Sequence, residues 1–264
     1  MPNVAMHSAV AETTVVREQV WAVYLLAWVA AFTDAIGYLS LHQLGASYMS
    51  GNSMNLGIAL GREEWFSVIN HGFPIFSFVT GNLLGVLIIK QANHRGVRNS
   101  FALIFGFEAV CILAFLFIGT CALHEGMISN SETSAFYFCM FLLTLAMGLQ
   151  TTTLRKVRGN SAHTTFVTGA LVNLTEAFIN YFSWIWLELK AKRFRQILNE
   201  SRQQKSFQQL LLLGGIWICY VFGAICGSVA ERRFSLTALL FPIGALVTLI
   251  ILDFARPFEN SNPN

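Results

Sequence analysis

The sequence predicts an all-α integral membrane protein, and three observations lead to that fold class. Of the 264 residues, 55% are hydrophobic and only 12% are charged, whereas soluble domains carry about 25% charged residues. Apolar runs near twenty residues recur, which is the length a helix needs to cross a bilayer. No long polar linker divides the chain, so we expect one membrane domain whose main partner is the lipid bilayer.

Six apolar runs are predicted to be transmembrane helices. They cover about Val20 to Leu41, Phe66 to Ile89, Phe101 to Ala122, Ala135 to Leu154, Phe207 to Ala230 and Phe234 to Leu252. The first run is longer than the apolar core of a signal peptide and has no clear cleavage site, so we expect a retained span. The predicted regions are an N-terminal tail (1–18), a membrane domain (19–253) and a C-terminal tail (254–264).

A polar stretch, Met49–Gly57, follows the first span, and a faint copy, Val167–Thr175, follows the fourth. A shift of 118 residues aligns Ser50 with Thr168, Gly51 with Gly169 and Asn55 with Asn173. Each half therefore reads as a span, an interrupted or half-helix segment, and two further spans. The predicted repeats are 19–122 and 135–253.

Two G-x-x-x-G patterns extend the repeat. Gly81 and Gly85 lie in the second span, and Gly223 and Gly227 lie at the corresponding place in the fifth. Small residues at this spacing let membrane helices approach closely, so helix packing is the favoured role. Because each half has three spans, an odd number, the second half must enter from the opposite side, as in inverted-repeat transporters.

The distribution of Lys and Arg supports six spans. Cytoplasmic loops collect positive charge, and a six-span topology places 14 of these residues on one side against 3 on the other, namely Arg62, Arg232 and Arg233. An eight-span topology, with both polar segments crossing, divides them 9 against 8. We therefore expect six spans with both termini in the cytoplasm.

The loop at about 184–205 has a helical stripe of apolar residues. Leu187, Ala191, Phe194 and Leu198 share one face, and Lys192 and Arg195 lie away from it. This pattern predicts a basic amphipathic helix at the cytoplasmic lipid surface.

Ionisable side chains inside a bilayer are costly, roughly 2.5–3.5 kcal/mol each, so they must face the bundle, a cavity or the interface. Asp34 lies well inside the first span with Tyr38 one turn later, Glu108 lies in the third, and Glu176 follows the second polar segment. A cation or proton site at Asp34 is the functional reading. A buried carboxyl retained for packing is the alternative.

The amides and hydroxyls of the two halves form the remaining candidate site. Gln150 lies about where Asp34 lies in the first half, and hydrogen bonding between helices explains it equally well. The polar segments contribute further substrate or ion-binding candidates: Ser50, Asn52, Asn55, Thr168, Asn173 and Glu176. Small-residue packing, with Gly51 and Gly169 at the contacts, is the competing account of both segments.

Several signals are absent. No G-x-x-x-x-G-K-[ST], H-E-x-x-H or G-x-S-x-G motif occurs, so we expect neither ATP-driven transport by this chain nor catalysis. The five cysteines and six histidines show no metal-binding spacing. We therefore expect no metal, no cofactor and no nucleic-acid partner.

Several of these motifs together resemble the YoaK family of uncharacterised multi-pass membrane proteins, found mainly in bacteria. The resemblance lies in Asp34–Leu39, Tyr48–Asn52, Leu56-Gly57, Gly148–Gln150 and Thr164–Gly169. The family more often has Thr where this chain has Ser50, a change that keeps the hydroxyl. The resemblance implies a bacterial inner-membrane protein and supplies no substrate.

The preferred function is a secondary transporter or channel for a small molecule or ion, with a site between the repeats formed by Asp34, Asn52, Asn55 and Asn173. A non-catalytic membrane scaffold that uses the glycine faces is the second hypothesis. An intramembrane enzyme is the third, and no nucleophile–base pair supports it.

Overall fold

A computed structural model describes residues 2–41, 45–124, 133–158, 166–189, 200–201 and 204–257. The regular structure of these residues is entirely helical. The helices are α1 (Pro2–Ser40), α2 (Met49–Gly61), α3 (Trp65–His94), α4 (Ser100–His124), α5 (Ser134–Arg158), α6 (Phe166–Leu189), α7 (Lys205–Phe234) and α8 (Leu240–Ala255). A 3₁₀ turn, Ser235–Leu239, joins α7 to α8.

The predicted spans all fall within this helical structure. Five stretches of the described chain have the length and composition to cross a membrane: Val20–Ser40, Trp65–His94, Ser100–Leu123, Ser134–Thr153 and Lys205–Ala255. The last contains both α7 and α8. The all-α class with several membrane-length helices is confirmed.

Helices α1 and α5 cross in opposite directions. Gly37 of α1 lies against Leu143, where an added Cβ would come 2.2 Å from Leu143 Cδ2. Eleven residues earlier in α1, Leu26 accepts a hydrogen bond from Gln150, seven residues later in α5. Because the partner position in α5 rises as the position in α1 falls, the two helices are antiparallel.

Helices α1 and α7 run in the same direction and touch through two glycines. An added Cβ would lie 2.4 Å from the Trp28 carbonyl oxygen at Gly223 and 2.6 Å from the Phe32 carbonyl oxygen at Gly227. These separations are far below van der Waals contact, so only glycine lets the two backbones approach this closely.

Helices α3 and α5 repeat this parallel pairing. An added Cβ at Gly81 would lie 2.2 Å from the Leu145 carbonyl oxygen, and one at Gly85 would lie 2.9 Å from Thr152 Oγ1. Since α3 is parallel to α5 and α5 is antiparallel to α1, α3 runs opposite to α1. The end of α1 and the start of α3 therefore lie at the same end of the helix bundle.

The two polar segments are both helical, but they differ in length. Helix α2 has 13 residues, about 20 Å of helix, which is less than the roughly 30 Å hydrocarbon core. Helix α6 has 24 residues without a break, although the sequence pattern predicts an interruption there. The segment contains no proline, and Gly169 alone costs a helix only about 1 kcal/mol.

Helix α2 packs against α3, and α6 packs against α7. The buried stripe of α6 consists of small residues, with Gly169, Ala170 and Ala177 among them. Among the described residues, α2 and α6 share no extensive packing contact with each other. The two segments therefore do not meet at a common centre.

The buried core lies mainly between α1, α4 and α5. Its large side chains include Phe101, Phe105 and Phe115 of α4 and Phe136 of α5, each fully buried. Many apolar side chains on the outer helix faces are exposed, as expected of surfaces that contact lipid. Asp253 of α8 lies buried at the start of α4, where its Oδ2 accepts a hydrogen bond from the Ala102 N–H at 2.8 Å.

Two of the predicted regions overlap helices of the structure. Helix α1 begins at Pro2 and so includes the segment predicted to be an N-terminal tail. In the predicted amphipathic loop, Leu187 lies exposed near the end of α6. Ala191, Phe194 and Leu198 fall outside the described residues.

Candidate functional site

Asp34 is the centre of a polar cluster on α1. Its Oδ1 accepts a hydrogen bond from the backbone N–H of Ser47 at 3.1 Å, and its Oδ2 accepts one from the Ser47 hydroxyl. Ser47 lies in the loop that leads from α1 to α2. Ser47 therefore donates hydrogen bonds to both oxygens of the carboxylate.

Helix α7 supplies the third donor. The Tyr220 hydroxyl donates to Asp34 Oδ2 at 3.3 Å. Tyr220 precedes Gly223 by one helical turn, and the contacts of Gly223 with Trp28 and of Gly227 with Phe32 hold α7 against α1. The predicted packing glycines thus lie in the contact between the two helices that carry Asp34 and Tyr220.

The loop before α2 has a second attachment, to α2 itself. The side-chain amide of the buried Asn52 donates to the Gly45 carbonyl at 3.0 Å. Tyr48 lies over Gly51, where an added Cβ would come 2.0 Å from the phenol ring. Asn52 and Gly51 therefore shape the loop that carries Ser47, and the contact at Gly51 is with this local tyrosine.

The electrostatic setting of Asp34 is unusual for a membrane span. Three donors satisfy the carboxylate, and the described part of the chain provides it with no ion pair. A carboxylate has about four lone-pair sites, so the three donors leave capacity for a proton or a small cation. The described residues contain no group of three or more His, Cys, Asp or Glu placed to share a metal ion.

Gln150, the proposed counterpart of Asp34, is buried and donates through Nε2 to the Leu26 carbonyl at 3.3 Å. This bond joins α5 to α1. Tyr38, predicted to accompany Asp34, is instead 43% exposed. It therefore lies away from the cluster that Ser47 and Tyr220 form.

The remaining candidates from the polar segments are spread apart. Ser50 and Glu176 are exposed, and Asn55 and Asn173 are half-buried on α2 and α6. These two helices pack against different partners, so the structure does not unite the two asparagines with Asp34. The side chain of Thr168 lies outside what is described.

Sequence reasoning missed both donors to Asp34. Ser47 and Tyr220 are 13 and 186 residues away along the chain. The available signal for Tyr220 was a hydroxyl in an otherwise apolar run, one turn before a glycine pair. Ser47 had no signal beyond its place in a polar loop.

Glu108 also lies in the described core, fully buried on α4. Neither of its carboxylate oxygens has a hydrogen-bond partner among the described residues. Its helix face is otherwise apolar, with Ile104, Cys111 and Ile112 as neighbours. A neutral carboxyl is the form that this environment favours, since an isolated buried charge is far more costly.

Comparison with known proteins gives the family. The model of a family described as "Protein of unknown function (DUF1275)" matches residues 22–252. The chain is also 25% identical over 211 residues to the "UPF0700 transmembrane protein YoaK" of Bacillus subtilis (strain 168), covering 80% of this chain and 83% of that protein. No solved structure matches significantly. Together with its membrane-length helices, these matches make the chain a multi-pass membrane protein that belongs to the DUF1275 family.

Proposed function

We propose that this protein is a secondary transporter or channel for a small molecule or ion, with its binding site at Asp34. The observation that carries the proposal is the origin of the Asp34 cluster. Asp34 and Ser47 come from the first half of the chain, and Tyr220 comes from the second. Membrane transporters built from repeats place their substrate and ion sites at the junction of the two halves.

The proposal includes an inverted repeat of 19–122 and 135–253. Helices α1 and α5, the first span of each half, are antiparallel, as a two-fold axis in the membrane plane requires. The glycine pair of α3 packs on α5, and the equivalent pair of α7 packs on α1. Each half thus uses the same contact to hold the first span of the other half.

The proposed topology has six spans in the inner membrane of a bacterium, with both termini in the cytoplasm. The opposite directions of α1 and α3 support a first polar segment that does not cross. The parallel pairing of α1 with α7 makes α7 opposite to α5, which supports the same for the segment containing α6. In this topology, 14 Lys and Arg residues lie on one side of the membrane and 3 on the other, and the side with more of them is assigned to the cytoplasm.

The test is transport by purified protein in liposomes. Charge movement on solid-supported membranes would be recorded as amino acids, carboxylates, amines, sugars and monovalent cations are added in turn. We expect a saturable signal for at least one class. Asp34→Asn should abolish it while circular dichroism and gel filtration remain unchanged.

Tyr38→Phe is the matched control. It removes an exposed hydroxyl one turn from Asp34 on the same helix, so the signal should persist. If no class gives a signal above protein-free liposomes, or if Asp34→Asn transports normally, the proposal is wrong. Stable co-purification of one fixed membrane partner would then favour the scaffold hypothesis.

A further inference from the structure

The hydrogen bonds at Asp34 all run in one direction, towards the carboxylate. We propose, resting on the transport function above, that the ion bound at Asp34 is a proton and that its binding releases the loop Gly45–Tyr48 from α1. The loop and Asp34 then act as a proton-sensitive gate on the face of the protein where α1 ends.

The donor arrangement favours a proton over a metal cation. A metal cation needs several oxygen lone pairs turned towards it. At Asp34, the backbone N–H of Ser47 occupies Oδ1, and a backbone N–H cannot turn into an acceptor. Two hydroxyl hydrogens occupy Oδ2. A proton needs only one lone pair of the carboxylate and no further acceptor oxygens.

Protonation weakens the attachment of the loop to α1. Hydrogen bonds to an ionised acceptor are roughly twice as strong as neutral ones, and both bonds from Ser47 lose this advantage together. A protonated carboxyl also becomes a donor at one oxygen, so Ser47 and Tyr220 then compete for fewer acceptor positions. The hydrogen bonds that hold the loop on α1 are therefore the ones that protonation weakens.

The other attachment of the loop is insensitive to a proton. Asn52 holds Gly45 through a neutral amide–carbonyl bond, and Tyr48 packs on Gly51 without charge. Once free of Asp34, the loop remains fastened to α2. The attachment to α2 is thus independent of the protonation of Asp34.

Among the described residues, the cluster contains one other ionisable side chain, Tyr220, which faces Asp34 from α7. Ser47 faces it from the loop. Within the described residues, α5 and α8, which also pack on α1, contribute no hydrogen bond or ion pair to Asp34. The proton therefore binds at a carboxylate that no cation among the described residues holds in its charged form.

Infrared difference spectroscopy of the full-length protein in lipid nanodiscs tests the identity of the ion. The pH would be titrated in potassium buffer and again in sodium buffer. We expect an acid carbonyl band that appears as the pH falls, is absent from Asp34→Asn, and has the same midpoint in both buffers. A midpoint that sodium shifts would assign the site to a metal cation and overturn the proton, while leaving a transport site at Asp34 intact.

Hydrogen–deuterium exchange at a single pH tests the gate. Asp34→Asn imitates the neutral acid, so the peptide containing Gly45–Tyr48 should exchange on the order of tenfold faster, reflecting the difference between a charged and a neutral hydrogen bond. Ser47→Ala, which keeps the backbone donor, should give an intermediate increase and serves if Asp34→Asn does not fold. Tyr38→Phe should exchange as wild type.

Equal exchange of this loop in wild type, Asp34→Asn and Ser47→Ala would overturn the gate. The absence of any titrating band that depends on Asp34 would overturn the proton site. Neither result concerns whether liposomes containing the wild-type protein move a solute, so failure of the proposed function is recognised separately.

Discussion

The side-chain amide of Gln150 donates a hydrogen bond to the main-chain carbonyl of Leu26, 3.3 Å away. The bond joins α5 to α1 where the two antiparallel helices cross. Both partners are buried, and a helical carbonyl accepts a side-chain donor without losing its own helix bond. Gln150 therefore acts as a link between helices and is not part of the transport site proposed at Asp34.

Replacing Gln150 should reduce stability without abolishing transport. Gln150→Leu keeps the volume and removes the bond, so the free energy of unfolding should fall by about 0.6–1.7 kcal/mol. Tryptophan fluorescence during heating in detergent would measure the change. Thr151→Val is the control, because the hydrogen bond that Thr151 forms among the described residues lies within its own helix, to the Met147 carbonyl. Loss of transport by folded Gln150→Leu would instead place the amide in the site.

Alanine at a contact glycine should destabilise the protein. Gly81→Ala and Gly223→Ala each drive a methyl group into a backbone carbonyl of the neighbouring helix. Overpacking of this kind costs about 1–3 kcal/mol, measurable as a lower midpoint in the same heating experiment.

Two other helical glycines provide a control of opposite sign. Nothing lies within 4 Å of an added Cβ at Gly106 or Gly244. Gly106→Ala and Gly244→Ala should therefore gain up to about 1 kcal/mol from the better helix propensity of alanine. Equal effects at all four positions would contradict the packing geometry.

Asp253 should be important for stability. Its carboxylate accepts from the Ala102 N–H, and its backbone carbonyl accepts from the Asn99 side chain at 2.6 Å. Asp253→Ala leaves an unpaired donor in the first turn of α4, which costs about 0.5–2 kcal/mol. Asp253→Asn keeps an acceptor oxygen and should lose less. A larger loss in Asp253→Asn than in Asp253→Ala would refute the capping role.

Cysteine labelling should distinguish six spans from eight. In a background without the native cysteines, Glu63→Cys and Arg232→Cys should react with an impermeant maleimide in intact cells. Arg95→Cys and Arg256→Cys should react only after permeabilisation. All four positions are exposed, so accessibility reports the side of the membrane. Labelling of Glu63→Cys solely in permeabilised cells would mean that α2 crosses.

The predictable part of this protein is the part encoded by local pattern. Apolar runs located the spans because helix length and bilayer thickness are both known, and the glycine spacing pointed to Gly81 and Gly223 because close approach needs small residues. Asp34 was identifiable since a carboxylate in an apolar run is costly wherever it faces.

The remainder depends on distant contacts. Tyr220 reaches Asp34 from 186 residues away, and no local pattern records which face of α7 meets α1. The two polar segments suggested a shared site that the structure does not form. Asn55 and Asn173 align in sequence, yet the helices that carry them pack on different neighbours. An interruption was expected near Gly169, but one glycine without proline does not break a helix.

The packing of α7 from the second half of the chain on α1 from the first half has a consequence for biogenesis. Helix α1 leaves the ribosome early, but α7, which covers its glycine-contacting face and carries Tyr220, comes 186 residues after Asp34. At roughly 5–20 residues per second, synthesis of that interval takes roughly 10–40 s. During this time, a nascent first half holds a carboxylate in the membrane without its final donor. The first half therefore reaches its final packing only after α7 of the second half has been synthesised.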